Sequence, residues 1–171
     1  IIRHSSSGAA SYLTRHVSAS VINAGDGTHE HPTQALLDML TVREKKGTLS
    51  GLKVAIVGDI LHSRVARSNI FGFTKMGSEV FVAGPSTLMP PNIEQMGAKV
   101  AKTIEEAVRD ADVVMALRIQ LERQQKALFP TIREYAKFFG LNRDMLALAK
   151  SDALLLHPGP VNRGIELTSE I

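Results

Sequence analysis

From Lys53 onward the chain repeats one pattern. A short, largely β-branched apolar run ends at a turn-forming residue, and a longer stretch with helical spacing follows before the next run. The runs are "KVAIVGD" (Lys53–Asp59), "EVFVAGP" (Glu79–Pro85), the weaker "AKVAKT" (Ala98–Thr103), "DVVMAL" (Asp112–Leu117) and "ALLL" (Ala153–Leu156). Continuous apolar runs, without polar alternation, are strands covered on both faces. Strands that alternate with helices require an α/β fold with a mostly parallel sheet. The five runs suffice for one open, doubly wound sheet.

The intervening stretches carry helix signals. Ser63–Met76 stops at Gly77, and "PPNIEQMG" reads as a short helix started by proline. Thr103 and Glu106 form a capping box for a helix over 104–110. Asn142 caps a helix to Lys150, with Leu141 and Leu146 as a hydrophobic staple. The polar, basic stretch Gln120–Gly140 reads as part helix and part mobile loop.

A second, incomplete unit precedes these. Ile1-Ile2 reads as the end of a strand and Val21–Asn23 as another, with a helix over Gly8–His16 whose apolar side is Ala9, Tyr12 and Leu13. A helix over His31–Glu44 has Ala35–Leu40 as its packed shaft, and Gly47 stops it. The polar "KKGTLSG" (Lys45–Gly51) is the best domain boundary. The expected organisation is the end of one α/β unit over 1–35, a bridging helix and linker over 36–50, and the doubly wound unit over 51–171. The chain opens straight onto an apolar pair, so it is expected to start inside a structural unit.

Composition narrows the function classes. Apolar residues are 44% and charged residues 22%, which is the balance of a globular domain. No apolar run reaches the length of a membrane span, and no secretory signal pattern opens the chain. Cysteine is absent, which removes disulfides and thiolate metal sites and fits a reducing compartment. A net charge of +3 with 5% aromatics provides no stacking platform for single strands. The expectation is a cytoplasmic protein with neither nucleic-acid nor membrane partners.

Ligands of open parallel sheets bind at the carboxyl ends of the strands. Five of the six histidines lie in strand-end segments, and so do Arg3, Arg64 and Arg118. Three guanidiniums on one rim suit a substrate with several anionic groups, since arginine grips carboxylate or phosphate through two parallel bonds. Taken singly, each feature has a plainer reading. Arg3 could be a surface charge, Arg64 part of a surface ion pair, and "HPGP" (His157–Pro160) a rigid turn. His29 and His31 could be half of a metal site, but no further ligand grouping joins them, and no metal is expected. After the first long strand only Gly58 is present, not the three glycines that admit a pyrophosphate, which disfavours a nucleotide cofactor.

The combination resembles the catalytic chains of the aspartate carbamoyltransferases, within the aspartate/ornithine carbamoyltransferase superfamily. The residues that carry the resemblance are "HPTQALLD" (His31–Asp38), "IIRH" (Ile1–His4), "NAGDG" (Asn23–Gly27), "GDILHSRVARSN" (Gly58–Asn69), "LRIQLER" (Leu117–Arg123) and "HPGP". They stand in the family's order and span nearly the whole chain. Ornithine transferases usually have cysteine in place of Thr33 and an "HCLP" near the end, so Thr33 and Arg118-x-Gln120 favour aspartate as acceptor.

The resemblance implies a carbamoyl-phosphate domain and an aspartate domain with the site between them. It assigns Arg3 and His31 to the carbamoyl oxygen and phosphate, and Gln34, Gly159 and Pro160 to the carbamoyl amide. Arg64, Arg118 and Gln120 would take aspartate, with no cofactor, and the loop over 120–139 would close over both substrates. It further implies a homotrimer with shared sites and allows regulatory or dihydroorotase chains as partners. The family's Ser-Thr-Arg-Thr phosphate loop, a Ser/Lys loop from a neighbouring subunit and a C-terminal helix are not in this sequence, and the 171-residue chain alone is expected to be inactive. A transferase for another amino acid, such as ornithine, and a non-catalytic relative are the alternatives.

Overall fold

The computed structural model describes residues 1–119 and 131–171. Two parallel sheets are present among them. The first pairs β1 (Ile2–His4) with β2 (Asn23–Asp26). The second has five strands, β3 (Lys53–Val57), β4 (Glu79–Ala83), β5 (Ala98–Val100), β6 (Val113–Ala116) and β7 (Leu154–Leu156), in the order β5-β4-β3-β6-β7. This is the doubly wound arrangement expected from the runs. The strand order reverses direction between β3 and β6, which opens a crevice at their carboxyl ends.

Alternation along the strands builds two apolar layers. Val54, Ile56, Val80, Val82, Val113 and Met115 face one side and pack with Ile70 and Phe73 of α3 (Arg64–Lys75) and Val42 of α2 (Pro32–Lys46). Ala55, Val57, Ala83, Val114 and Ala116 face the other, against Ile104, Ala107 and Val108 of α4 (Ile104–Val108). The second layer is rich in alanine, which lets α4 approach the sheet closely.

Several expectations shift. The second strand is Asn23–Asp26, displaced from Val21–Asn23. Asn23 donates from Nδ2 to Asp26 Oδ1 and accepts the Gly25 N–H, so the polar residues fold into the strand end. Asp26 is buried while Ile22 is half exposed. The first helix, α1 (Ala9–Thr14), buries Ala10 and partly buries Ala9 and Leu13 of the expected apolar side, while Tyr12 is exposed.

In α2 the packed stripe is Ala35, Asp38 and Val42. Leu36, Leu37 and Leu40 are exposed, which corrects the idea of a packed Ala35–Leu40 shaft. One helix seam covers only the positions three and four apart that face α3. "PPNIEQMG" gives a 3₁₀ turn over Ile93–Met96 instead of a helix, because Asn92 takes a left-handed conformation (φ 58°) and breaks the start. Asp110 likewise has φ 56°, and α4 has ended at Val108.

The caps were legible in the sequence. Thr103 Oγ1 accepts the Glu106 N–H at 3.2 Å, and Asn142 Oδ1 accepts the Met145 N–H at 2.8 Å. The helix after Asn142, however, is only α6 (Arg143–Leu146), following α5 (Ile132–Phe139). The chain beyond it tightens into i→i+3 bonds, and Lys150 then donates to Ala111. The boundary segment is tied down. Leu49 is buried, Ser78 Oγ donates to its carbonyl, and the Gly51 N–H donates to Gly77.

Candidate active site

A cleft of about 230 Å³ lies between the carboxyl ends of the two sheets. Its lining is Arg3, His31, Gln34, Ser63, Arg64, Val65, Arg118, Pro158, Gly159 and Pro160. Every site residue expected from the sequence lines it except Gln120, which lies outside the described residues. The contributors come from the end of β1, the start of α2, the β3–α3 turn, and the segments after β6 and β7. Ser63 and Val65 were not anticipated. Ser63 is the N-cap of α3 and accepts the Ala66 N–H at 3.1 Å, so its position follows from the cap.

His31 is fixed by its own helix. It is the N-cap residue of α2, and its Nδ1 accepts the Gln34 N–H at 3.3 Å. An accepting Nδ1 leaves the proton on Nε2. Burial, then the charges of Arg64 and Arg3, hold the imidazole below its ordinary pKa. The ring is therefore a neutral donor beside cationic neighbours. The main chain of the first turn offers an anion few free donors. The N–H groups of Gln34 and Ala35 already donate to the His31 carbonyl, and Pro32 has none.

Arg64 is almost fully buried, with its guanidinium laid across the β2 turn. Nη1 donates to the Gly27 carbonyl at 3.2 Å, and a Cβ at Gly25 would stand 2.8 Å from Arg64 Cζ. Gly27 is similarly confined by Ser7, whose Oγ would lie 2.3 Å from an added Cβ. The glycines of "GDG" make room for these two side chains.

The other strand-end histidines shape the rim. His29 faces Asp26 at 3.2 Å, His62 donates to Asp59 at 3.0 Å, and His4 accepts the Ser6 N–H. His157 Nδ1 accepts the Gly159 N–H at 2.8 Å, and its Nε2 meets Glu166 Oε1 at 3.3 Å. In "Pro-Gly-Pro" only glycine has an N–H, and His157 takes it. The turn offers the cleft carbonyl oxygens with no competing backbone donor.

Gly58 (φ 129°) makes space for protein. An added Cβ would meet Leu117 Cβ at 3.1 Å and the Tyr135 hydroxyl at 3.2 Å. Tyr135 is buried with Leu88 and Ile119, which docks α5, the helical part of the stretch over 120–139. The remainder of that loop, 120–130, lies outside the described residues.

Comparison with known proteins agrees with this architecture. Residues 50–171 match the model of the aspartate/ornithine carbamoyltransferase Asp/Orn binding domain, and residues 1–44 that of the carbamoyl-P binding domain. The chain is 69% identical over all 171 residues to an aspartate carbamoyltransferase catalytic subunit from Ruminiclostridium cellulolyticum, and 68% identical to that of Acetivibrio thermocellus. It spans 55% of the length of each. Among solved structures it is similar to ornithine carbamoyltransferase from Pyrococcus furiosus, with a TM-score of 0.82 and 31% identity over 99% of this chain and 56% of that one. Aspartate transcarbamoylase from Trypanosoma cruzi in complex with carbamoyl aspartate and phosphate superposes with a TM-score of 0.77 and 27% identity, over 98% of this chain and 54% of that one. With both domain models matched in order and the cleft lying between the two sheets, the chain belongs to the aspartate/ornithine carbamoyltransferase family.

Proposed function

We propose that the protein carrying this chain transfers the carbamoyl group of carbamoyl phosphate to the α-amine of L-aspartate, releasing N-carbamoyl-L-aspartate and phosphate. The observation that carries this reading is the lining of the cleft. Three guanidiniums, a neutral imidazole donor and a turn with no free backbone donor face one small space.

Each group then has a task. Arg3 and His31 donate to the carbamoyl oxygen and the phosphate. The amine lone pair attacks the carbamoyl carbon, negative charge gathers on that oxygen, and preset donors lower the barrier. The carbon–oxygen bond to phosphate breaks and the amine loses its proton. Gln34 and the carbonyls of Gly159 and Pro160 hold the carbamoyl NH₂. Arg64 and Arg118 take the two aspartate carboxylates, with Gln120 assisting. No nucleophilic side chain and no cofactor is required, because phosphate already leaves well and much of the rate comes from orienting two substrates.

Ornithine as acceptor is the second reading, favoured by the structural likeness to ornithine carbamoyltransferases. The charge of the cleft argues against it, since a terminal ammonium would face Arg64 and Arg118. We place the working form as a cytoplasmic homotrimer that supplies pyrimidine synthesis; this rests on the family resemblance. The test is a competition assay on the full-length protein with aspartate, ornithine and N-acetylornithine. Carbamoyl aspartate should be the product formed. Preferential carbamoylation of either ornithine compound would overturn the assignment.

A further inference from the structure

Asp38 stands one turn beyond Gln34 on α2, in the seam against α3, where it is only 7% exposed. Apolar packing is the stable content of such a seam, and a buried carboxylate costs free energy unless its oxygens are bonded. Both are. Gln34 Nε2 donates to Asp38 Oδ1 at 2.9 Å, and Asn69 Nδ2 of α3 donates to Asp38 Oδ2 at 2.8 Å.

Asn69 is fully buried, and its amide also donates to the Val65 carbonyl at 3.1 Å. Two acceptors therefore fix which way the Asn69 amide points, even though its Oδ1 is left without a partner among the described residues. Asp38 is thus held from the α3 side by a rigid donor. Its other oxygen can accept only an N–H from Gln34.

We propose that Asp38, anchored by Asn69, is a positioning residue that locks the Gln34 amide with its nitrogen turned inward and its oxygen presented to the carbamoyl NH₂ in the cleft. The claim rests on the carbamoyl-transfer reading above. Without Asp38 the Gln34 amide can rotate, and half of its orientations offer an N–H where an acceptor is needed. The network also joins the first turns of α2 to α3, so the two helices that flank the cleft share one hydrogen-bonded hub.

The test is a double-mutant cycle in the full-length protein with Gln34→Ala, Asp38→Leu and the combined variant. Steady-state kinetics for each substrate would be measured beside thermal unfolding. Asp38→Leu should lower kcat/KM for carbamoyl phosphate by about tenfold, the scale of one lost hydrogen bond, and leave the aspartate KM within about twofold. In the Gln34→Ala background the same substitution should change kcat/KM by less than about twofold, because residues acting through one another are not additive.

If Asp38→Leu overpacks the seam and fails to fold, Asp38→Ala gives the same readout. Equal losses in both backgrounds would make Asp38 structural and overturn the proposal, as would unchanged carbamoyl-phosphate kinetics in the single variant. A wild-type protein that forms no carbamoyl aspartate would instead overturn the underlying reading.

Discussion

Asp26 and His31 lie five residues apart and illustrate opposite electrostatic outcomes. Burial works to raise the Asp26 pKa, but its two oxygens accept from Asn23, Gly8, His29 and Glu30, and these bonds win, holding it at about 2. A carboxylate depressed from 3.8 in this way stabilises the fold above pH 3.8, and that stability is lost as pH falls toward 2. The difference corresponds to about 2 kcal/mol, so urea unfolding of the full-length protein between pH 4 and 2 should show that loss, and Asp26→Asn should flatten it. An unchanged acid limb in the variant would contradict the assignment.

For His31, burial and the guanidiniums of Arg64 and Arg3 act together to favour the neutral ring. Protonation would remove the acceptor that caps Gln34 and leave a fourth cation in the cleft. The acid limb of kcat/KM for carbamoyl phosphate should therefore fall below pH 6.5, the ordinary imidazole value, and disappear in His31→Gln. A limb above pH 6.5 that His31→Gln abolishes would reverse the sign of the argument.

The elements that build the cleft are held by close backbone approach at the carboxyl ends of β3 and β4. A Cβ on Gly84 would lie 2.2 Å from the Gly58 carbonyl oxygen, and the Gly58 N–H donates to Ala83 at 2.9 Å. Neither partner is a flexible side chain that could move aside. Gly84→Ala should destabilise the protein by about 1–3 kcal/mol, read as a lower urea midpoint with an unchanged slope. The Gly58–Asp59 turn starts the segment that carries Ser63 and Arg64, so activity should fall with stability here. The same scale explains which element boundaries were legible. The side-chain caps at Thr103 and Asn142 are local bonds, and sequence spacing shows them. The second strand pairs His4 with Asp26, and beyond α6 Lys150 meets Ala111; these partners lie far along the chain, and no local pattern announces them.

At the scale of the molecule, the site exists because two sheets present their carboxyl ends to each other. Arg3 and His31 come from one side, Arg64, Arg118 and Pro158–Pro160 from the other, and Arg64 crosses the gap to Gly27. Other ties join the two parts as well, among them the His31 N–H to Ser68 Oγ at 2.9 Å, Arg67 Nε to the His29 carbonyl at 3.1 Å, and Lys46 at the end of α2 to Asp152 at 2.8 Å. Arg118 lines the cleft from the segment after β6, in the crevice where strand order reverses. In the full-length protein, Arg118→Ala should raise the aspartate KM and lower kcat/KM by about 100-fold or more, the effect of losing a charged two-point contact. Near-normal aspartate kinetics in that variant would remove Arg118 from the site. A bisubstrate phosphonate–aspartate analogue should protect wild type against thermal unfolding far more than Arg118→Ala.

The sequence by itself determined the fold class, because continuous apolar runs separated by helical stretches have one economical solution, a parallel sheet covered on both faces. Strand-end position singled out Arg3, Arg64 and Arg118, which do line the cleft, whereas His31, Gln34, Gly159 and Pro160 were assigned through the family resemblance. Tertiary structure decided what the remaining polar groups do. Four strand-end histidines, His4, His29, His62 and His157, bond to backbone or carboxylate, and among the five only His31 lines the cleft. The partner of Asp38 Oδ2 is Asn69 of α3, which only the packing of the two helices brings there. Leu36, Leu37 and Leu40 are exposed in this chain and lie off the Ala35, Asp38 and Val42 stripe that α2 buries. Periodicity reports which residues can share a face; only the packing of one element on another decides which face is buried and which donors meet which acceptors.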